Sequence, residues 1–210
     1  MTNITEYGDR GAKKVLIYLT TEDDEESVNN VLELIGKDTN ESFCLAAYMI
    51  HDWNKELSPW PAPAVFGKED FGDGAADTLK TILNYCTDTT KTYYIGGYSL
   101  AGLFALWSVY NTDIFKGVAA VSPSMWFPNF DTYMEEHEIK AGNVYLSLGD
   151  REEKTKNPIM ATVGDKIKKA HTLLESKGVN CTFELNEGNH FKDVDIRTAK
   201  GYIWLINHQQ

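Results

Sequence analysis

The chain alternates short apolar runs, rich in β-branched and aromatic residues, with longer segments of helical spacing joined by polar turns. Residues 14–19, 43–50, 92–96, 117–121, 144–148 and 181–185 read as strands. Several of these are apolar at consecutive positions, as expected of strands covered on both faces. Residues 26–35, 75–85, 100–110, 158–176 and 194–207 read as helices. Strands and helices in alternation predict an α/β fold, a three-layer α/β/α sandwich on a mainly parallel sheet. One segment breaks the rhythm. Residues 51–73 contain Trp53, Trp60, Pro59, Pro61 and Pro63 and follow neither period. A long loop at the C-terminal end of a strand, where open α/β sheets bind ligands, is expected to wall a pocket or to act as a lid.

Composition narrows the partners. With 210 residues, positions 1–210 are expected to form a single domain. Lys and Arg number 20 against 31 Asp and Glu, a formal charge of −11 that repels phosphate backbones and anionic membrane surfaces. Neither nucleic acid nor membrane is expected as a partner. The first residues, Met1-Thr2-Asn3-Ile4-Thr5-Glu6, have no basic stretch leading into an apolar one, and no run approaches the roughly 20 apolar residues of a membrane span. The expectation is a cytoplasmic protein. Cys44, Cys86 and Cys181 are scattered and suggest neither a disulfide framework nor a metal site.

The strongest local signal runs from Tyr93 to Trp107, where a strand enters a tight turn at Gly97-Tyr98-Ser99-Leu100-Ala101-Gly102 and an amphipathic helix is expected to leave it. Small residues two before and two after Ser99 suit a nucleophile elbow, in which strand and helix pass too close for bulky neighbours. The pattern is G-x-S-x-A, with alanine where glycine is commoner. A plainer reading makes the glycines turn formers and Ser99 a helix cap. A third reads Gly97-x-Ser99-x-x-Gly102 as a dinucleotide turn, but the next strand ends in Val121-Ser122-Pro123-Ser124 without the acid such a site needs. No cofactor is therefore expected.

A serine nucleophile needs a base, and the base an orienting carboxylate. Of five histidines, His190 stands out, in the loop Asn186-Glu187-Gly188-Asn189-His190-Phe191 between the last strand and the last helix. His51 could border the pocket, whereas His137, His171 and His208 lie in charged, helical or terminal contexts. Asp150, Glu152 and Glu153 follow the fifth strand and compete as the acid. The order serine, acid, histidine is that of one hydrolase architecture.

On these residues the chain resembles the α/β-hydrolases from about Lys14 onward. Within them it is similar to the esterase branch that holds siderophore esterases and related carbohydrate-acyl esterases. Gly97 to Gly102, the segment Ser122-Pro123-Ser124-Met125-Trp126-Phe127, Gly149 to Glu152, and Gly188-Asn189-His190-Phe191 carry the likeness, with Ser-Pro-Ser-x-Trp the most branch-specific. The resemblance implies a compact hydrolase without a separate cap domain. It implies a Ser99–His190–Glu152 triad, because Glu152 stands at the usual offset of three from the strand-end glycine, with Asp150 the runner-up. It also implies an oxyanion hole built from the N–H of Leu100 and one near Thr20 or Thr21. The family's two leading strands are expected to be missing or degenerate. Trp53, Trp60, Trp126, Phe127 and Phe191 are candidates to line the pocket. The implied activity is hydrolysis of a small-molecule carboxylic ester. The alternatives are a silent hydrolase fold used for binding, or a thioesterase, peptidase or acyltransferase using the same nucleophile.

Overall fold

A computed structural model describes residues 3–208, so positions 1–2 and 209–210 of the expected domain lie outside the described residues. Seven strands are present: β1 (Ile4–Gly8), β2 (Lys14–Thr20), β3 (Phe43–Met49), β4 (Thr92–Tyr98), β5 (Phe115–Val121), β6 (Asn143–Gly149) and β7 (Asn180–Asn186). They form one sheet in the order β1-β3-β2-β4-β5-β6-β7. Every pairing is parallel except β1 against β3.

The consecutive apolar positions act as their pattern requires. In β2, Val15, Ile17 and Leu19 face one core while Leu16 and Tyr18 face the other. On the first face lie α3 (Ala75–Tyr85), α4 (Leu100–Asn111), α5 (Phe130–Glu136) and α6 (Val163–Ser176), with Leu79, Leu103, Met134 and Ile167 in that core. On the second lie α1 (Glu25–Asp38) and α7 (Val194–Asn207), through Val28, Val31, Tyr202 and Leu205. The three layers agree with the sequence expectation.

Four details differ from it. A strand does precede β2: β1 sits at the sheet edge, half-exposed, so the two leading strands are not both missing. The helix after Ser99 is not amphipathic. Every residue of α4 from Leu100 to Tyr110 is buried, the condition of a helix enclosed by neighbouring elements on all sides. The helix expected from 158 begins later, at Val163, after a 3-10 turn at Met160–Thr162. Asn157 caps that opening turn, its Oδ1 accepting from the backbone N–H groups of Ile159 and Met160. Finally, residues 51–73, which follow neither period in sequence, hold some regular structure. They contain the four-residue helix α2 (Trp53–Glu56) and a bridge between Ala62 and Phe71, with Leu57, Ala62 and Phe71 buried. Among the described residues no helix is long and apolar enough to cross a membrane.

Candidate active site

Ser99 occupies the junction between β4 and α4 with φ 60° and ψ −122°, a conformation costly for a residue with a Cβ. The flanking glycines make it possible. A Cβ on Gly97 would lie 2.7 Å from the Ala101 Cβ, and one on Gly102 would lie 2.9 Å from the Gly97 carbonyl oxygen. Alanine at 101 is accommodated because position 97 carries no side chain. The Ser99 N–H donates to the Val121 carbonyl at 3.1 Å, which ties the turn to β5.

The chain of contacts from Ser99 is continuous. Its Oγ lies 3.0 Å from His190 Nε2, and His190 Nδ1 lies 2.7 Å from Glu152 Oε2. A carboxylate facing Nδ1 calls for the proton there, leaving Nε2 to accept from the serine hydroxyl. The Tyr98 hydroxyl donates to the His190 carbonyl at 2.7 Å and steadies the loop.

The other oxygen of Glu152 is more crowded. Oε1 accepts from the Ser122 hydroxyl at 2.7 Å, the Gly149 N–H at 2.6 Å and Arg197 Nη1 at 3.1 Å. The Glu152 side chain is only 3% exposed. Burial pushes its carboxyl toward the neutral form. The hydrogen bond and charge of His190, with the Ser122 and Gly149 donors, outweigh burial and hold it below its ordinary range. Asp150 points elsewhere. Its Oδ1 accepts from the Gly188 N–H at 2.7 Å, and that bond holds its carboxyl low. Glu153 is exposed.

Leu100, expected as an oxyanion donor, opens α4, so its N–H has no partner within the helix and lies at the positive end of the dipole. The structure does not bring Thr20 and Thr21 to the same place. The Thr21 N–H and hydroxyl both donate to Asp24 Oδ2, at 3.2 and 2.6 Å, and both threonines border a different cavity beside α1. His51 is likewise outside the cavity, exposed and 3.9 Å from Glu22.

Ser99 and His190 open into a cavity of about 360 Å³ lined by Trp53, Phe66, Pro123, Trp126, Met160, Val163 and Phe191 among others. Trp53, Trp126 and Phe191 thus lie where the sequence suggested. Trp60 and Phe127 do not. Trp60 donates its indole N–H to the Pro128 carbonyl and packs on Phe127, Phe130 and Tyr133, partly buried against the core. Sequence reading missed Phe66, Met160, Val163 and Ser122, and also Arg197. The segment Ser122-Pro123-Ser124 now has a physical role: the first hydroxyl donates to Glu152, and the second lies 3.4 Å from Ser99 Oγ.

Residues 51–193 match the model of the Esterase family, described as "Putative esterase". The protein YbbA of Bacillus subtilis is 26% identical over 137 residues, a stretch covering 59% of this chain and 55% of that protein's length. Among solved structures, the siderophore hydrolase EstA of Aspergillus nidulans superposes with a TM-score of 0.70 at 17% identity, over 98% of this chain and 94% of that one. The enterochelin esterase of Shigella flexneri gives 0.70 at 16% identity, over 97% of this chain and 54% of that one. These likenesses establish the fold as that of the α/β-hydrolases. With the family model spanning well over half of the chain, the chain belongs to the Esterase family.

Proposed function

We propose that the protein is a carboxylic ester hydrolase that works through Ser99, His190 and Glu152 and an acyl-enzyme intermediate. The unbroken hydrogen-bonded series from Ser99 Oγ through His190 to Glu152 carries this reading, because a serine hydroxyl so placed has its base in contact and the base its orienting carboxylate. His190 removes the Ser99 proton as Oγ attacks the acyl carbonyl. The Leu100 N–H and the α4 dipole stabilise the oxyanion. The same imidazole then protonates the leaving alcohol, and a water activated by His190 releases the acid and restores Ser99.

The substrate class follows from the cavity. None of its lining residues is Lys or Arg, and its walls are mainly aromatic and aliphatic. The proposed substrate is a neutral small-molecule ester with an apolar acyl or aryl group. One of the structural relatives is a siderophore hydrolase and another an enterochelin esterase, and here no lining Lys or Arg supports the binding of an anionic group.

The test is hydrolysis of a short aryl ester such as p-nitrophenyl butyrate by the wild type and by Ser99→Ala. The variant should retain its circular dichroism spectrum and melting temperature while losing at least about a thousandfold in kcat/KM. Turnover by Ser99→Ala at the wild-type rate would overturn the proposal.

A further inference from the structure

Arg197 is an anomaly for α7. Its side chain is 1% exposed and points inward beneath the candidate active site. A buried ion pair is often no more stable than a well-packed apolar replacement, so burial here calls for a reason beyond packing. The contacts supply one. Nη1 donates to Glu152 Oε1 and to the Tyr98 hydroxyl, each at 3.1 Å, while Nη2 donates to the Glu187 carbonyl at 2.9 Å. Glu187 lies in the loop that carries His190, and Tyr98 holds the His190 carbonyl. One planar head therefore touches the acid and both supports of the base's loop.

Building on the triad reading, we propose that Arg197 is a positioning residue acting through Glu152. It fixes Oε1 together with Ser122 and Gly149, and so turns Oε2 toward His190 Nδ1. A carboxylate free to rotate would share its two oxygens among these donors and leave the imidazole without a fixed partner. Position 149 leaves room for this convergence: a Cβ there would collide first with the Gly188 carbonyl oxygen and would also lie 2.9 Å from Glu152 Oε1 and 3.1 Å from Arg197 Nη1. Arg197 does not line the cavity. Its removal should therefore lower kcat and leave KM nearly unchanged.

The experiment compares Arg197→Met and Arg197→Lys in the wild-type and Glu152→Gln backgrounds, with aryl-ester kinetics and the rate of Ser99 labelling by a fluorophosphonate. In the wild-type background Arg197→Met should cost about 10–100-fold in kcat, within the coupling expected of residues in one hydrogen-bond and ion-pair network. Arg197→Lys, keeping the cation but not the fork that reaches Tyr98 and the Glu187 carbonyl as well, should recover only part of it. In the Glu152→Gln background the same Met substitution should cost under about threefold, because its partner is already changed. Equal costs in the two backgrounds, or no rescue by lysine, would overturn the proposal. If Arg197→Met alone does not fold, the double variant against Glu152→Gln decides: a further loss of tenfold or more in labelling rate counts against it. Failure of the wild type to label at Ser99 removes the triad reading and this proposal together. Normal labelling with equal costs removes this one alone.

Discussion

Replacing Glu152 by glutamine changes one atom, and the structure dictates how the amide must sit. Oε1 is surrounded by three donors, from Ser122, Gly149 and Arg197, at 2.6–3.1 Å. The amide oxygen has to occupy that place, since an NH2 group there would confront the Gly149 and Arg197 donors, which cannot accept. The NH2 then faces His190 Nδ1, donor against donor unless the imidazole changes tautomer. With Nδ1 turned acceptor, the proton moves to Nε2, toward Ser99, and that nitrogen no longer accepts from the hydroxyl. The result is an intact site with a base in the wrong form. Loss of the right tautomer in a serine triad costs about 10⁴ in kcat, or about 5.5 kcal/mol of barrier. Glu152→Gln should fall within about tenfold of that value, with KM little changed. It also leaves the Arg197 charge buried beside a neutral partner, for which roughly 3 kcal/mol of destabilisation is the expected scale. Aryl-ester kinetics with thermal melting of the same preparations measure both effects. Activity within tenfold of wild type, at an unchanged melting temperature, would refute the role given to this carboxylate.

Two further expectations concern pH and the pocket. Because the folded Glu152 carboxyl lies below its ordinary value of about 4.3–4.5, its stabilising contribution is full above that value and disappears as pH falls through the lower folded one. The melting-temperature gap between wild type and Glu152→Gln should therefore narrow as the pH falls below that ordinary value, and a gap independent of pH would contradict the assignment. Trp126→Ala should widen the cavity and shift preference toward longer or bulkier acyl groups. Trp60→Ala should instead cost about 3 kcal/mol of stability, measured as a fall of about 6–12 °C in Tm, with acyl preference unchanged.

How much of this was legible in the sequence depended on whether the signal was local. The tight turn at Ser99 was readable because sterics at Gly97 and Gly102 act within five residues. The central strands were readable because burial on both faces leaves consecutive apolar positions. β1 was not, since Ile4-Thr5-Glu6-Tyr7-Gly8 is short, polar and half-exposed at an edge, where pairing with β3 rather than composition makes it a strand. Spacing from Gly149 favoured Glu152, but its separation from Asp150 is a matter of where each carboxylate points: Asp150 caps the Gly188 N–H, and only Glu152 turns inward. Trp60 and Phe127 show the same limit, as the direction of an aromatic side chain in an aperiodic segment is set by distant packing. Arg197 did leave a trace. At four-residue spacing it shares a stripe with Gly201 and Leu205, all buried, so a cation on the apolar face of α7 was there to be read.

The account rests on Ser99 being the nucleophile, and covalent capture addresses that directly. The protein, treated with an aryl or alkyl fluorophosphonate and digested, should carry one adduct by mass spectrometry, on the peptide containing Ser99. Ser99→Ala should remain unmodified and Glu152→Gln should label far more slowly. An adduct on another residue, or equal labelling of Ser99→Ala, would contradict it.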